Sequence, residues 1–160
     1  MEGGTLAREI DDIAKRKKYK QNQYGDRKSR KDDYTGERVF SGNTKKAIKK
    51  HPIDKISDTD HVTPIKVVQS RYKGLSDDQQ RIIANSEHNY AITNSKLNRS
   101  KGGLENHEYL MRQTLKGENP GLKTSAKMLE KEAESRIAMR VQATAMYAEN
   151  VVHKISDTDF

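Results

Sequence analysis

The sequence predicts an α+β protein in which two short strands are surrounded by helices and followed by a long C-terminal helix. Residues 57–62 and 90–93 are rich in β-branched residues and bounded by polar or proline residues, a pattern typical of short strands. Between and after these segments, apolar residues recur at spacings of three and four, which indicates amphipathic helices. Together the two patterns predict separate strand and helix segments in one small domain.

The composition excludes several classes of site. The chain has 160 residues and no cysteine, so it forms no disulfide, thiolate zinc site or cysteine nucleophile, and we expect no structural zinc. Leucine, isoleucine, valine and phenylalanine make up about 18% of the chain, below the roughly 20% at which a highly charged chain is suspected of disorder. A large apolar cofactor pocket is therefore not expected.

The charge is concentrated at the N-terminal end. The net charge is +8, and residues 1–50 carry fifteen basic and eight acidic side chains, whereas residues 51–110 are neutral overall. A basic surplus of this kind favours an anionic polymer as the partner, with nucleic acid as the first candidate.

The N-terminal third is predicted to be a helix followed by a basic arm. Leu6, Ile10, Ile13 and Ala14 share a helical spacing, which predicts a short helix over residues 5–18. Residues 15–31 are basic and poor in apolar side chains, so we expect an arm or an exposed loop, and we assign 1–33 as a basic N-terminal segment.

The central elements follow from turn and capping signals. The predicted order is a turn at 34–37, a strand at 38–40, a helical turn at 45–50, a strand at 57–62, a helix from Pro64 to about Gly74, a helix capped by Ser76, a strand at 90–93, a helix from Asn94 or Ser95 to Lys101, and a helix at 106–115.

The C-terminal segment, 118–160, is predicted to be one long helix. Between residues 125 and 152, apolar side chains step by three or four: Leu129, Ala133, Ile137, Val141, Ala145, Ala148 and Val152. We interpret this stripe as an internal packing face. The alternative is a surface for a protein partner or for self-association.

A six-residue repeat brackets the second half of the chain. Residues 55–60 and 154–159 are identical, but the first copy is followed by His61 and the second by Phe160. Only the first copy can therefore combine carboxylates with an imidazole.

The densest group of reactive side chains surrounds this first copy. Asp58 and Asp60 alternate along a predicted strand that ends before Pro64, where a bend would bring Asp60 and His61 to one cleft. A carboxylate binds hard cations, and a neutral imidazole accepts a proton from water near pH 7. Asp58 is either a supporting acid near the metal or a solvated strand charge, and we favour the second interpretation.

A second group lies on the helix that ends at Gly102. Asn98 and Lys101 are three residues apart and so share one face, with Arg99 beside them. An amide oxygen can bind Mg²⁺, an ammonium can meet a phosphate, and a guanidinium can bind a phosphate through two hydrogen bonds.

In order, these residues resemble a known family. Asp60-His61-x-x-Pro64, then Asn89, then Asn98-Arg99-x-Lys101-Gly102 is similar to the HNH, or ββα-metal, endonucleases, and most to the cysteine-free variety found in CRISPR effector nucleases. The resemblance covers roughly residues 56–103. It implies a ββα-metal nuclease core within a domain that we assign to 34–117.

The resemblance also implies roles for individual residues. Asp60 and Asn98 would bind one Mg²⁺-type ion, with Mn²⁺ expected to substitute, and His61 would activate water as the general base. Asn89 would brace the loop that orients His61, and Lys101 and Arg99 would hold substrate phosphates. The products would carry 3′-hydroxyl and 5′-phosphate ends.

Further basic residues are predicted to bind nucleic acid. They are Lys15, Arg16, Lys17, Lys18 and Lys20 in the N-terminal segment, interleaved with Tyr19 and Tyr24, and Lys96 near the motif. His88 is interpreted as a surface residue, and His107 as part of a first helical turn.

The sequence thus predicts a Mg²⁺-dependent DNA endonuclease. The alternatives are a nucleic-acid-binding module without turnover and an assembly protein. Residues 1–18 lack the apolar run of a secretory signal, and no apolar run approaches the roughly 18 residues of a membrane span. We therefore expect no membrane partner and a cytoplasmic location, with a delivered toxin as the alternative.

Overall fold

The computed structural model describes residues 4–42 and 44–157, with only the backbone described at residue 157. In these ranges the helices are α1 (Ala7–Ile10), α2 (Ile13–Tyr24), α3 (Lys45–Lys50), α4 (Ile65–Arg71), α5 (Asp77–Ala84), α6 (Ser95–Lys101), α7 (Asn106–Leu115) and α8 (Leu122–Asp157). The strands are β1 (Ser29–Lys31), β2 (Arg38–Phe40), β3 (Ser57–His61) and β4 (Tyr90–Asn94), and a 3₁₀ turn covers Glu87–Asn89. The predicted mixture of helices and strands is confirmed.

Two antiparallel strand pairs form the sheets. β3 pairs with β4 in a register that sets Asp60 opposite Ala91 and His61 opposite Tyr90. Residues 62–89, with α4 and α5, connect the two strands, and α6 follows β4 directly. β1 pairs with β2, and a parallel bridge from Phe40 to Ile56 joins the two sheets.

The outer edge of β4 is covered by side chains. The Asp32 carboxylate, 1% exposed, accepts hydrogen bonds from the Asn94 backbone N–H and from the Thr93 hydroxyl. The carboxylate of Asp33 accepts from the Ile92 backbone N–H at 2.7 Å. These bonds satisfy an edge that would otherwise be open to pairing with another strand.

The N-terminal segment differs from the prediction. The basic run is not an arm or loop, because residues 13–24 form α2, and Asp12 caps this helix by accepting a hydrogen bond from the Lys15 N–H. The predicted single helix over 5–18 is broken at Asp11 and Asp12 into α1 and α2. Of its predicted apolar face only Ile10 is buried.

The long C-terminal helix is confirmed, but its predicted packing face is wrong. α8 has 36 residues, so it is about 54 Å long. The predicted stripe faces solvent, and Ile137 and Val141 are 67% and 66% exposed. The helix packs instead through the opposite side, where its buried side chains are Met128, Glu132, Ser135, Met139 and Ala143.

Specific contacts explain this choice of face. Ser135 hydroxyl bonds reach Thr63 at 2.9 Å and the Asn89 side chain at 2.6 Å. Glu132 accepts from the backbone and side chain of His107. Hydrophobic periodicity identifies the most aliphatic stripe of a helix. The face that packs here is instead the more polar one, because its side chains make these hydrogen bonds to the rest of the chain.

The two copies of the repeat adopt different structures. The first copy enters β3 at Ser57, whereas the second continues α8 as far as Asp157. Its last two residues, 158 and 159, lie outside the described residues.

Buried side chains form three hydrophobic clusters that join distant segments. One cluster contains Ile10, Val68 and Met139, so α1, α4 and α8 share a core. A second contains Tyr34, Val62 and Met128, and a third contains Tyr24, Val39 and Ile92. Across the described ranges, no helix combines the length and apolar character needed to cross a membrane.

Candidate active site

The end of β3 faces the first two turns of α6. Asn94 begins α6 by accepting a hydrogen bond from the Leu97 N–H, and its own backbone is fixed by Asp32. This cap directs Asn98 and Lys101 toward β3. The Asn98 amide lies 3.4 Å from the Asp58 carboxylate, a weak contact, whereas the Lys101 ammonium lies 2.5 Å from Asp60 Oδ2.

Lys101 is buried and fully hydrogen-bonded. Its ammonium is 0% exposed and donates to Asp60 Oδ2 and to the backbone carbonyls of His61 and Val62. These three acceptors match the three ammonium protons. The expectation that Lys101 contacts a substrate phosphate is therefore wrong for this structure, because the side chain has no free donor and no solvent access.

Asp60 keeps one oxygen free of this network. Oδ2 accepts from Lys101 and, at 2.7 Å, from the Tyr34 hydroxyl. Burial and the Asp60 carboxylate raise the pKa of Tyr34 well above its ordinary value, so the phenol remains a donor. Within the described residues no hydrogen bond reaches Asp60 Oδ1, which leaves it available to a ligand.

His61 is held from the side opposite Asp60. Its Nε2 lies 3.0 Å from Asn85 Oδ1 and 3.7 Å from Asp11 Oδ1, and its ring meets Tyr90 edge-on. Burial lowers the pKa of His61 below its ordinary value, although the Asn85 hydrogen bond and the nearby carboxylates act in the opposite direction. The lowered pKa favours the neutral imidazole near pH 7, the state in which a base can accept a proton.

The orientation of Asn85 determines which ring nitrogen is basic. Asn85 is 1% exposed, and its Nδ2 donates to the carbonyls of Ile10 and Arg81, both at 2.8 Å. Its amide therefore cannot be flipped, and Oδ1 can only accept. Since Oδ1 faces Nε2, the proton of the neutral ring is on Nε2, and Nδ1 carries the free electron pair.

Asn89 holds the loop that follows His61. Its Oδ1 accepts from the Thr63 N–H at 2.7 Å, and its Nδ2 donates to the carbonyls of Thr63 and Ala84. Its backbone carbonyl also accepts from the Val62 N–H. The buried amide thus ties both sides of the connection between β3 and β4 together.

One cavity brings the main predicted residues together. It has a volume of about 460 Å³, and its walls include Asp60, His61 and Asn98. We call it the catalytic cavity, after the role that the sequence predicts for His61. Its remaining wall residues are Ala7, Asp11, Arg16, Thr59, Pro64, Ile65, Lys66, Gly102 and Gly103.

The predicted basic residues are divided between several places. Arg16, Lys17 and Lys20 line a second depression of about 350 Å³ with Gln21, Asp58 and Thr59. Lys15, Lys18 and Arg99 are exposed and line neither cavity. Lys96 lines a separate depression with Tyr109 and Gln113, so the structure does not bring it to the catalytic cavity.

The donor set of the catalytic cavity fits a hard divalent cation. Within the part of the chain that the structure describes, Asp60 Oδ1 accepts no hydrogen bond and the Asn98 side chain makes one, through Nδ2, which leaves its amide oxygen available. Oxygen donors of this kind suit Mg²⁺. Asp58 faces Asn98 but lines the second depression, so it is a neighbour of the Asn98 amide rather than a wall of the catalytic cavity.

A second acidic group has a structural explanation. Glu105, His107 and Glu108 carry ligand-type atoms within 4.8 Å of one another. Glu105, however, is paired with Arg71 and Arg136, and His107 binds Glu132 at 2.7 Å. His107 thus lies in the first turn of α7 as predicted, and His88 is exposed near Glu134.

Sequence reasoning missed several residues of the site. Asp11, Tyr34 and Asn85 contact His61 or Asp60 but lie outside the recognised motif. Asn85 ends a helix in the connection between the strands, and no local signal links it to His61. The one sequence signal that could have suggested such residues is a polar side chain at the end of an element that flanks the motif.

Comparisons with protein-family models, with curated proteins and with solved structures found no significant match. Any functional conclusion therefore depends on the chemistry of this site.

Proposed function

We propose that this protein is a metal-dependent endonuclease that hydrolyses DNA phosphodiester bonds by HNH-type chemistry. One observation carries the proposal: Asp60 and His61 on β3 and Asn98 on α6 line one cavity, and β3, β4 and α6 follow one another in the order expected for the motif. A neutral imidazole beside free oxygen donors is the arrangement that metal-assisted hydrolysis requires.

Each residue has a distinct role in this mechanism. His61 Nδ1 takes the proton from the attacking water while Asn85 and Asp11 face Nε2. Asp60 and Asn98 would hold the Mg²⁺-type cation, with Mn²⁺ as a substitute. When bound, that cation supplies positive charge to stabilise the leaving 3′ oxygen, which gives 3′-hydroxyl and 5′-phosphate ends.

The surrounding residues position these groups. Lys101 and Tyr34 hold Oδ2 of Asp60 and thereby orient Oδ1. Asn89 fixes the backbone after His61. Arg99, exposed on α6, contacts a phosphate of the bound strand in this proposal.

A plasmid-nicking assay tests the proposal. The full-length protein should nick plasmid DNA in Mg²⁺ or Mn²⁺ and be inactive in EDTA. His61→Ala should lose at least about 100-fold in rate, since general bases contribute about 10²–10⁴-fold. His88→Ala removes an exposed imidazole and is the matched control. Full activity of a correctly folded His61→Ala protein would overturn the mechanism.

The metal ligands are tested separately. Asp60→Asn and Asn98→Ala should shift the Mg²⁺ titration to higher concentration, whereas an unchanged titration would remove that residue as a ligand. Circular dichroism should first establish that Asp60→Asn folds, because Asp60 is paired with Lys101.

The main alternative is a nucleic-acid-binding module without turnover. It predicts tight DNA binding that is unaffected by His61→Ala and no nicking in any divalent cation. The second alternative, an assembly module, is favoured by the exposed stripe of α8. Sedimentation of Ile137→Lys tests it without deleting α8, whose opposite face belongs to the core.

A further inference from the structure

We propose that Arg16, Lys17 and Lys20 on α2 form, with Thr59 on β3, a phosphate-binding subsite for the nucleic-acid strand whose scissile bond lies in the catalytic cavity. The identity of that strand rests on the proposed function. The subsite itself rests on the shape, charge and unsatisfied groups of the second depression.

The two cavities are neighbours. The second depression, about 350 Å³ in volume, shares Arg16 and Thr59 with the catalytic cavity. Thr59 lies on β3 between Asp58 and Asp60. A strand that places one phosphodiester near Asp60 and His61 therefore reaches the second depression with an adjacent part of its backbone.

The charge of the depression suits an anion. Three cationic side chains and one carboxylate, that of Asp58, line it. Arg16 is paired with the Asp11 carboxylate at 2.7 Å, so Lys17 and Lys20 supply most of the charge that can meet an anion. Lys20 is anchored by a 2.6 Å hydrogen bond to the Ser57 carbonyl, and its ammonium donates no other hydrogen bond to the described residues. Burial lowers the pKa of Lys20, and an incoming phosphate would favour its charged form again.

Thr59 supplies an unsatisfied polar group. It is 6% exposed, and its hydroxyl oxygen has no hydrogen-bond partner within the described residues. A buried hydroxyl without a protein partner is unusual, and a water molecule or a ligand can satisfy it. A phosphate oxygen in the depression would be such a group, after a rotation of the side chain.

Helix geometry separates this subsite from a general basic coating. Arg16, Lys17 and Lys20 occupy one side of α2, whereas Lys15 and Lys18 are exposed on its other sides and do not line the depression. α2 thus carries lysines that line the subsite and lysines of the same charge that do not, and the second set provides matched controls.

DNA binding in EDTA tests the subsite without requiring turnover. The probe is a fluorescein-labelled DNA oligonucleotide, used single-stranded and as a duplex, with affinity measured by anisotropy over a range of salt concentrations. Lys17→Ala and Lys20→Ala should each weaken binding about 3–10-fold and reduce the salt slope by roughly one. Lys15→Ala and Lys18→Ala should change affinity by less than about twofold, contrary to the expectation from the sequence, because both side chains lie outside the two cavities.

Thr59→Val tests the hydroxyl with little change of shape. It should weaken binding by about 2–5-fold and leave the salt slope unchanged, since no charge is removed. Lys17 is exposed, so Lys17→Ala keeps the test valid if Lys20→Ala fails to fold.

Equal losses for all four lysine variants would overturn the subsite, as would the absence of DNA binding at low salt. If the lysine variants separate as expected but no divalent cation supports nicking, the subsite stands and the endonuclease proposal fails. If nicking occurs and the variants do not separate, the endonuclease proposal stands and the subsite fails.

Discussion

The buried ion pair between Asp60 and Lys101 is the residue-scale feature on which the geometry of the site depends. A carboxylate removed from water requires compensation, and Lys101 and Tyr34 provide it on Oδ2 alone. The same carboxylate therefore has one oxygen committed to the fold and one directed to other partners. Its position is fixed before any ligand arrives.

Replacing Lys101 by methionine tests this structural role. Lys101→Met should lower the free energy of unfolding by about 3–5 kcal/mol, because it leaves the Asp60 charge buried without its partner. The measurement is urea denaturation followed by circular dichroism. Lys96→Met, at an exposed position on the same helix, is the control and should stay within about 0.5 kcal/mol. Equal effects of the two substitutions would contradict a buried ion pair.

The tautomer of His61 is a second residue-scale prediction. Nitrogen NMR at neutral pH should show the proton of His61 on Nε2, because Asn85 Oδ1 is an acceptor. His107 provides an internal control with the opposite pattern, since its Nδ1 faces the Glu132 carboxylate at 2.7 Å. Asn85→Ala should give a mixture of His61 tautomers. A proton on Nδ1 in the unaltered protein would contradict the orientation assigned to Asn85.

At the scale of the element, α8 shows how hydrophobic periodicity can select the wrong face. Ile137→Ala, on the exposed stripe, should change the free energy of unfolding by no more than about 0.5 kcal/mol. Met139→Ala, on the face that packs against Ile10 and Val68, should cost about 2–5 kcal/mol. Thermal or urea denaturation of the two variants compares the faces directly. A larger loss of unfolding free energy for Ile137→Ala than for Met139→Ala would indicate that the aliphatic stripe is the packing face.

The elements that could be predicted from the sequence are those whose ends carry local capping or termination signals. Ser76 and Asn94 begin helices as expected, and Gly102 ends α6 with a positive φ of 54°. The repeated hexapeptide had no such local determinant: next to β4 it is a strand, and at the end of α8 it is helical in its described part. Its conformation follows from tertiary pairing, which overrides local propensity.

At the scale of the whole molecule, the N-terminal segment contributes both to the positive charge and to the hydrophobic core. The basic run was predictable from composition, but its folding was not, because one residue of α2, Tyr24, places this helix in a core shared with β2 and β4. Asp60, His61 and Asn98 could be grouped from the sequence because they match one ordered motif, although Asn98 follows His61 by 37 residues. Asp11, Tyr34 and Asn85 were not, because they reach the site only through the packing of distant elements.

The ion pairs of Glu105 join three helices and give stability a pH dependence. Burial alone would raise the pKa of Glu105, but Arg71 and Arg136 outweigh it and hold the pKa below its ordinary value of 4.5. A lowered carboxyl pKa contributes stability above pH 4.5 that is lost as pH falls through the folded-state value. Glu105→Gln should therefore cost about 1–3 kcal/mol at pH 7 and progressively less below pH 4.5.

Urea denaturation at pH 7 and at several values below 4.5 measures this difference, with the exposed Glu130→Gln as the control. A cost for Glu105→Gln that is independent of pH would contradict the ion-pair explanation.

A hydrogen bond to the Asn85 amide also allows the local opening of the start of α2 to be measured. Its Oδ1 accepts from the Asp12 backbone N–H at 3.1 Å as well as from His61. When the start of α2 opens far enough for this N–H to exchange with solvent, the oxygen that orients the imidazole loses one of its fixed partners. Opening free energies differ from segment to segment within a folded protein. Hydrogen exchange at the Asp12 backbone amide therefore reports how often the start of α2 opens, and Asn85 loses this one contact, while the rest of the molecule stays folded.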